Sequence, residues 1–284
     1  MRDATNGNLT IIIDGGCNEE AEAILPFLEQ HHSDNQKVVI STHSDTDHIG
    51  GLAKIISTVQ PFSVIINDPR DFQDERAFRT RARSELSSDD YDCLSSALDR
   101  IDEVRDAATL AGSRILSKFA SPTPIIDWGQ YKVYVVGPTQ TFFNEVWLNQ
   151  EGLRDLYRCD DENTVGTLVM SGRSILDDGV DTNGANNTSI MLLIEGPGHK
   201  SLFTGDAGMR AIREANAIKN LANLTLLDVP HHGSRRNLDS VLIDHLRPTQ
   251  AYISSPGTDK HPRKAVIKKL QSVGSKVYST CRIT

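Results

Sequence analysis

Hydrophobic and polar positions follow one another in short blocks along this 284-residue chain, and the first blocks predict strands followed by helices. The run Leu9–Ile13 is almost entirely apolar and β-branched, as in a buried strand, and residues 19–30 then carry apolar side chains at helical spacing. A strand at 37–42, a helix at 50–58 and a strand at 62–67 complete two steps of this kind. The first part of the chain is therefore predicted to consist of β-α-β units.

The middle of the chain has a different pattern. Residues 70–120 are predicted to be mostly helical, with an apolar stripe formed by Leu94, Leu98, Ile101, Val104, Ala108 and Ile115. From about 139 to 186 the pattern weakens into polar, acidic and glycine-containing stretches. We therefore expect a helical insertion at about 70–120 and a flexible insertion at about 139–186. The helical insertion could cover a cleft or form a packing layer.

Regular alternation resumes in the remaining segments. Residues 131–136 predict a strand, and a Gly-Pro-Gly turn between the runs 188–194 and 201–206 predicts a hairpin. Further elements follow, with helices at 208–221, 238–246 and 263–273 and strands at 224–229, 250–254 and 276–279. Because strands and helices alternate on both sides of the middle insertion, we predict an α/β fold, a single αββα sandwich domain over residues 1–284.

Composition narrows the class of protein. With 38% hydrophobic and 24% charged residues, and no apolar run near the roughly 18 residues of a membrane span, we expect a cytoplasmic globular protein without membrane contact. Its four cysteines form no CxxC pair, which argues against a disulfide framework and a thiolate zinc site. The net charge of −8 argues against broad polyanion binding but not against a local basic groove. Basic residues do cluster, at Arg76, Arg79, Arg81 and Arg83, at Arg235 and Arg236, and from Lys260 to Lys269.

One segment concentrates metal-ligand chemistry directly behind the β-branched run Val38–Ile40. It places two imidazoles and two carboxylates in six positions, namely His43, Asp45, Asp47 and His48. A loop that leaves a strand lets successive side chains converge on one ion while a coordination position stays open for water. A polar surface turn is the alternative, and four ligand-type side chains in six positions count against it.

Other acidic and imidazole side chains also follow predicted strands. They are Asp14, Asp206 and the adjacent pair His231 and His232. A lone aspartate after a strand is more often a turn former or a helix cap. Strand-end loops are nevertheless where α/β enzymes place their catalytic residues. Together with the His43–His48 loop, these residues make four strand ends with metal-ligand side chains, which favours a shared metal site.

The order of these motifs resembles the metallo-β-lactamase superfamily, and most of all its ComEC-type hydrolase branch and that branch's soluble stand-alone relatives. The segments that carry the resemblance are Ile13–Gly16, Thr42–Gly51, Thr204–Asp206 and Pro230–Ser234, with further matches at Asn186–Ile190, His261–Pro262 and Tyr278–Arg282. The resemblance spans about residues 9 to 282. It implies the metallo-β-lactamase form of the αββα sandwich and a site for one or two divalent ions per chain.

The resemblance also implies a ligand set, which consists of His43, Asp45, Asp47, His48, Asp206 and one of His231 and His232. In this assignment His43 and Asp45 bind one metal, and Asp47 and His48 bind a second. Asp206 bridges the two ions, and the spacing leaves the choice between His231 and His232 open.

Other residues are implied to support these ligands. Asp14 is implied to orient a ligand, and Asn187, or its neighbour Asn186, stands where many relatives have a third histidine. Asp45 stands where the broad superfamily has a second histidine, so the first site is poorer in nitrogen. This change favours Mn²⁺ or Mg²⁺ relative to Zn²⁺. The expected ion is Mn²⁺ or Zn²⁺, with Mg²⁺ as a further candidate.

The implied activity is hydrolysis of nucleic acid, DNA foremost, by a metal-dependent phosphodiesterase that uses a metal-bound hydroxide. Asp47 would orient the water, His261 would protonate the leaving oxygen, and Ser234 and Arg235 would bind phosphate oxygens. His261 has an alternative role as a turn residue before Pro262.

Two functional alternatives stay open. One is a hydrolase of a small cyclic or other phosphodiester, which the acidic composition favours. The other is a catalytically inactive scaffold or regulatory module of the same fold, which the substituted first site favours. For a nuclease we expect a partner protein in a DNA-processing or phage-defence complex.

Overall fold

A computed structural model of the protein describes residues 2–3, 7–157, 176, 180–257 and 261–281. These residues form two compact units. The first unit comprises Met1–Lys118, Trp128–Gln130 and Asn144–Tyr157, and the second comprises Phe119–Asp127, Tyr131–Phe143 and Arg158–Thr284.

The first unit is built on a five-stranded sheet in which the strands lie in sequence order. Its strands are β1 (Arg2–Asp3), β2 (Gly7–Ile13), β3 (Gln36–Ile40), β4 (Ser63–Ile65) and β5 (Arg114–Leu116). Strand β1 is antiparallel to β2, and all the other pairs are parallel. The helices that connect these strands are α1 (Asn18–His32), α2 (Thr46–Ile49), α3 (Leu52–Val59), α4 (Glu75–Glu85) and α5 (Ser88–Leu110).

Apolar burial holds this unit together and explains why the sequence pattern located its elements. Val39 and Ile40 of β3 are fully buried, as expected for a parallel strand that is covered on both faces. Helix α3 packs on α5, and the predicted stripe of Leu94, Leu98, Ile101, Val104 and Ala108 is buried along α5. The stripe therefore forms a packing layer.

Two details of the first unit differ from the predictions. The 70–120 segment is not helical to its end, because Ile115 lies in β5 and pairs with Val64 of β4. A three-residue strand is too short to show its own periodicity, so the helical pattern was extended over it. In addition, Asp47 and His48 lie in the single helical turn α2, and α3 begins only at Leu52.

The second unit is built on a seven-stranded sheet with the order β12-β11-β10-β9-β8-β7-β6. These strands are β6 (Ile126–Trp128), β7 (Tyr131–Gly137), β8 (Met191–Gly196), β9 (His199–Phe203), β10 (Leu226–Asp228), β11 (Gln250–Ile253) and β12 (Lys276–Ser279). The predicted hairpin is present as antiparallel β8 and β9, whereas β9 to β12 pair in parallel. Helices α8 (Gly184–Asn187), α9 (Met209–Ile218), α10 (Ser240–Leu246) and α11 (Lys264–Ser272) belong to this unit.

The expected flexible insertion at 139–186 is partly regular. Helices α6 (Gln140–Leu148) and α7 (Gln150–Arg154) occupy its beginning, and Phe142, Phe143 and Trp147 of α6 are buried. Aromatic burial stabilises these short helices despite weak periodicity. The polar stretches 158–175 and 177–179 of the same insertion, and Arg282 of the last motif, lie outside the described residues.

No helix among the described residues has the length and apolar character that crossing a membrane requires.

Candidate metal-binding residues

Two loops of the first unit approach each other closely where β2 and β3 end. The backbone N–H of Asp14 donates to the Ile40 carbonyl at 2.9 Å, and that of Gly15 donates to the His48 carbonyl at 2.8 Å. A Cβ atom on Gly15 would lie only 2.7 Å from the backbone nitrogen of Leu52, so a glycine is required there. The Asp-Gly-Gly loop is thereby fixed against the histidine loop.

Asp14 connects the two histidines of this loop through one carboxylate. Its Oδ1 accepts from the Thr42 N–H at 2.7 Å, and its Oδ2 accepts from the Thr42 hydroxyl at 2.7 Å and from His48 Nδ1 at 2.8 Å. The Thr42 oxygen lies 3.0 Å from His43 Nδ1. Since the Thr42 hydroxyl donates its hydrogen bond to Asp14, its oxygen accepts a hydrogen bond from the Nδ1–H of His43.

The tautomers of both rings follow from this network. With the protons on the Nδ1 atoms, His43 and His48 each present the lone pair of Nε2, the arrangement that metal-binding histidines commonly have. Asp14 itself adopts a left-handed backbone with φ of 59°, which an aspartate tolerates better than most residues. A non-glycine residue that has a left-handed backbone and makes three side-chain hydrogen bonds is typical of a functional site.

The carboxylates of the loop differ in their surroundings. Asp45 Oδ2 lies 3.6 Å from His43 Nε2, close to the roughly 3–3.5 Å that separates two donors about 2.1 Å from one ion. Asp45 precedes α2 but its side chain makes no capping hydrogen bond to that helix. Asp47 lies in the first turn of α2 and is exposed. The first unit thus brings together Asp14, His43 and His48, with Asp45 beside His43.

Sequence reasoning missed two residues that surround this loop. Arg100 of α5 donates from Nε to the Ser44 carbonyl at 2.9 Å, which ties the loop to the helical insertion. The Tyr157 hydroxyl is buried and has no hydrogen-bond partner among the described residues. Burial raises the pKa of the Tyr157 phenol, and the nearby negative charge of Asp45 raises it further. Neither residue belongs to a spaced motif, so no sequence signal indicates it.

In the second unit, Asp206 follows β9 and is 3% exposed. Its N–H donates to the Ser189 hydroxyl at 3.2 Å. Its Oδ2 lies 3.7 Å from Nε2 of His231, which follows β10. This unit therefore brings an aspartate and an imidazole together from two parallel neighbouring strands.

His231 and His232 are both held in a left-handed backbone, with φ of 49° and 55°. Two consecutive non-glycine residues in this region are uncommon and indicate a functional constraint. The Nδ1 of His232 lies 2.6 Å from the Ser254 carbonyl, and His231 Nδ1 lies 3.3 Å from Asn237 Oδ1. The His232 ring therefore donates from Nδ1 and presents Nε2 as an acceptor, whereas His231 Nδ1 lies near both the acceptor Asn237 Oδ1 and the donor Asn186 Nδ2. The choice between His231 and His232 as a ligand stays open.

Asn237 is a further residue that sequence reasoning missed. It is fully buried, and its Nδ2 donates to the carbonyls of Asp206 at 2.8 Å and Ala207 at 3.2 Å while its Oδ1 faces His231. One amide therefore fixes the position of two candidate ligands.

The two neighbouring asparagines have different surroundings. Asn187 accepts from the Gly208 N–H at 3.1 Å and donates to the Thr182 carbonyl at 3.1 Å, so its amide closes a loop. Asn186 is 2% exposed, and its Nδ2 lies 3.4 Å from His231 Nδ1. Asn186 is thus the asparagine beside a candidate ligand.

The remaining residues of the predicted site also lie in the second unit. The ring of His261 lies 5.2 Å from the ring of His231, measured between centroids. Ser234 and Arg235 are buried, at 1% and 4% exposure, and so are less accessible to a substrate than expected. Arg263 donates its N–H to the Gly233 carbonyl at 3.0 Å, which connects the His-His-Gly turn to the start of α11.

The donor chemistry of these residues fits a divalent ion. Imidazole nitrogens oriented through Nδ1, next to carboxylate oxygens, suit Zn²⁺ and Mn²⁺. Each unit supplies such a pair, His43 with Asp45 in the first and His231 with Asp206 in the second. The described residues of each unit therefore include candidate metal ligands.

Comparison with known proteins agrees with this chemistry. The model of the metallo-β-lactamase superfamily matches residues 4–120, which include the Asp14 and His43–His48 loops. Residues 4–120 therefore have the sequence signature of the metallo-β-lactamase superfamily. The predicted fold class is thereby confirmed as the metallo-β-lactamase fold, and metal-dependent hydrolase chemistry is the common property of the superfamily.

Two curated proteins are similar to part of the chain. It is 32% identical to Recombination protein 2 of Haemophilus influenzae over 101 residues and 29% identical to ComE operon protein 3 of Bacillus subtilis over 102 residues. Each match covers 35% of this chain and only 13% of the relative. A solved metallo hydrolase, Igni18 of Ignicoccus hospitalis, aligns with this chain at a TM-score of 0.45 and 14% sequence identity. The alignment covers 89% of this chain and 80% of Igni18.

Proposed function

We propose that this protein is a metal-dependent phosphodiesterase that hydrolyses nucleic acid, DNA foremost. The observation that carries the proposal is the hydrogen-bond network of Asp14, which orients His43 and His48 with Nε2 available for a metal. The similarity to Recombination protein 2 and ComE operon protein 3 supports DNA as the substrate, because recombination is a process that acts on DNA.

The ligand set of the proposal is the one that the resemblance to the superfamily implies. His43 and Asp45 would hold one ion, Asp47 and His48 would hold a second together with one of His231 and His232, and Asp206 would be shared by both ions. Such ions, when bound, lower the pKa of water and neutralise charge on phosphoryl oxygens. Mn²⁺ is favoured over Zn²⁺ because Asp45 replaces a nitrogen ligand with an oxygen ligand.

The side chains around the ligands have separate tasks. Asp14 and Asn237 hold the histidine rings and the Asp206 backbone in place, so they act by positioning. Asp47 is exposed and would orient the attacking water, and His261, beside His231, would protonate the leaving oxygen. A partner protein in a DNA-processing or phage-defence complex belongs to the same proposal by analogy with the DNA-related relatives.

The test combines metal analysis with a substrate panel. Plasmid DNA, single-stranded DNA and cyclic nucleotides are incubated with Mn²⁺, Mg²⁺ or Zn²⁺, using the native protein and the Asp206→Ala variant. We expect one or two tightly bound ions and DNA cleavage in the native protein, with both reduced in the variant. If the protein hydrolyses cyclic nucleotides but no DNA, the substrate is a small phosphodiester and not nucleic acid. If it binds no metal and hydrolyses none of the substrates, the result favours a catalytically inactive scaffold.

A further inference from the structure

A groove in the first unit gathers polar and basic side chains between α4 and the start of α7. It encloses about 580 Å³ and is lined by Asp74, Arg76, Ala77, Thr80, Arg81, Ser84 and Gln150. This volume is within the roughly 300–1,000 Å³ of small-ligand pockets and is sufficient for a nucleotide unit. None of its lining residues belongs to the proposed metal centre.

The two arginines of the groove differ in charge balance from other arginines nearby. Arg79 on the same helix pairs with Glu75 at 2.8 Å, and Arg154 pairs with Glu85 at 2.7 Å. Within the described part of the chain, neither Arg76 nor Arg81 has a carboxylate within 4 Å. The acidic residue of the lining, Asp74, uses its carboxylate to cap α4 by accepting from the Ala77 N–H at 2.8 Å. With two arginines and one aspartate, the lining of the groove carries a net positive charge.

The position of the Arg81 side chain is fixed by a neighbouring amide. The Arg81 guanidinium donates from Nη2 to Oε1 of Gln73, and this contact orients both side chains. Arg81 Nε is buried, so a ligand in the groove would meet Arg81 through its other guanidinium N–H groups, together with the exposed side chain of Arg76.

We propose that this groove binds a phosphate of the nucleic-acid strand away from the scissile bond, an inference that rests on the proposed function. The guanidinium fork matches phosphate oxygens in a bidentate arrangement. On a chain with a net charge of −8, a polyanion requires a local region of positive charge, and Arg76 and Arg81 provide one.

The test compares two arginine pairs on one helix. The groove variant is Arg76→Gln with Arg81→Gln, and the matched control is Arg79→Gln with Arg83→Gln. The control removes the same charge from residues that pair with Glu75 or stack on the Tyr91 ring. Fluorescence anisotropy measures binding of a labelled, phosphorothioate-protected single-stranded DNA in Mn²⁺ buffer between 50 and 200 mM salt, a range over which phosphate contacts dominate.

We expect the groove variant to bind DNA at least about tenfold more weakly, with the slope of log affinity against log salt reduced by about 1.4 for two lost phosphate contacts. The control pair should change both quantities much less. Hydrolysis of bis(p-nitrophenyl) phosphate, which is too small to span a second site, should be equal in the two variants. Arg76 is exposed, so Arg76→Gln alone serves if the double variant does not fold.

Equal losses in both pairs, or no loss in either, would overturn the groove proposal. The proposed function is judged separately from the turnover of native protein. If native protein cleaves DNA and the pairs do not differ, the groove is wrong and the function stands. If native protein cleaves no nucleic acid but the groove pair alone loses DNA binding, the groove stands and the function is wrong.

Discussion

The Asp14→Asn substitution should weaken metal binding while the local backbone is retained. Asparagine tolerates a positive φ as aspartate does, so the conformation at φ 59° stays accessible. The amide oxygen can still accept from the Thr42 N–H, but the amide NH₂ then faces the Thr42 hydroxyl and His48 Nδ1. His48 can accept at Nδ1 only as the tautomer with its proton on Nε2, the atom required by a metal.

The size of the effect follows from the lost contacts. Removal of a partner that orients a metal-binding histidine typically costs about 10–100-fold in metal affinity. That range corresponds to roughly 1.4–2.7 kcal/mol. Folding stability without metal should also fall, by about 1.5–3 kcal/mol, because a hydrogen bond from His48 to a charged acceptor is lost.

Calorimetric titration of metal-free protein with Mn²⁺ measures the affinity, and urea unfolding in EDTA measures the stability. The matched control is Asp34→Asn, which removes a carboxylate from an exposed position in the turn after α1. Both quantities should be unchanged in the control. An Mn²⁺ affinity of Asp14→Asn equal to that of native protein would refute the view that Asp14 sets the His48 tautomer.

Three further substitutions test separate features of the structure. Asn237→Ala should lower the free energy of unfolding in urea by about 1–3 kcal/mol, because the buried carbonyls of Asp206 and Ala207 lose their donor; unchanged stability would contradict this. Tyr157→Phe should not destabilise the protein at neutral pH. Since the folded protein raises the pKa of Tyr157, native stability should decline as pH rises above about 10, more steeply than in the variant; parallel pH profiles would argue against it. Gly15→Ala should lower the melting temperature, equivalent to about 1–3 kcal/mol, because its Cβ would meet the Leu52 backbone; an unaltered melting curve would contradict the close approach.

Much of the fold could be predicted because its elements have local signatures. Strand β12 begins and ends where its alternating pattern predicts, and the buried stripe of α5 follows the helical period. The pattern failed at β5, whose three residues are defined by pairing with β4, and at α6, whose aromatic residues are buried by tertiary packing. Short elements gain their stability from non-local contacts, which periodicity does not contain.

The candidate site divides in the same way. Asp14, the His43–His48 loop and Asp206 could be predicted because ligand-type residues follow strands in a recognisable order. Asn237, Arg100 and the Ser254 carbonyl could not, because single polar residues and backbone groups carry no spacing signal. The division of these ligands between two ions stays a prediction.

The sequence alone determined the class of chemistry and the family, since those depend on which side chains occur and in what order. Tertiary structure decided which ring nitrogen of His43, His48 and His232 is available and which arginines lack an acidic partner. These properties depend on contacts such as Asp14 with His48, 34 positions apart, and Arg81 with Gln73 at the groove. Hydrogen bonds form only between groups that packing brings within about 3 Å, and that proximity is a property of the folded chain.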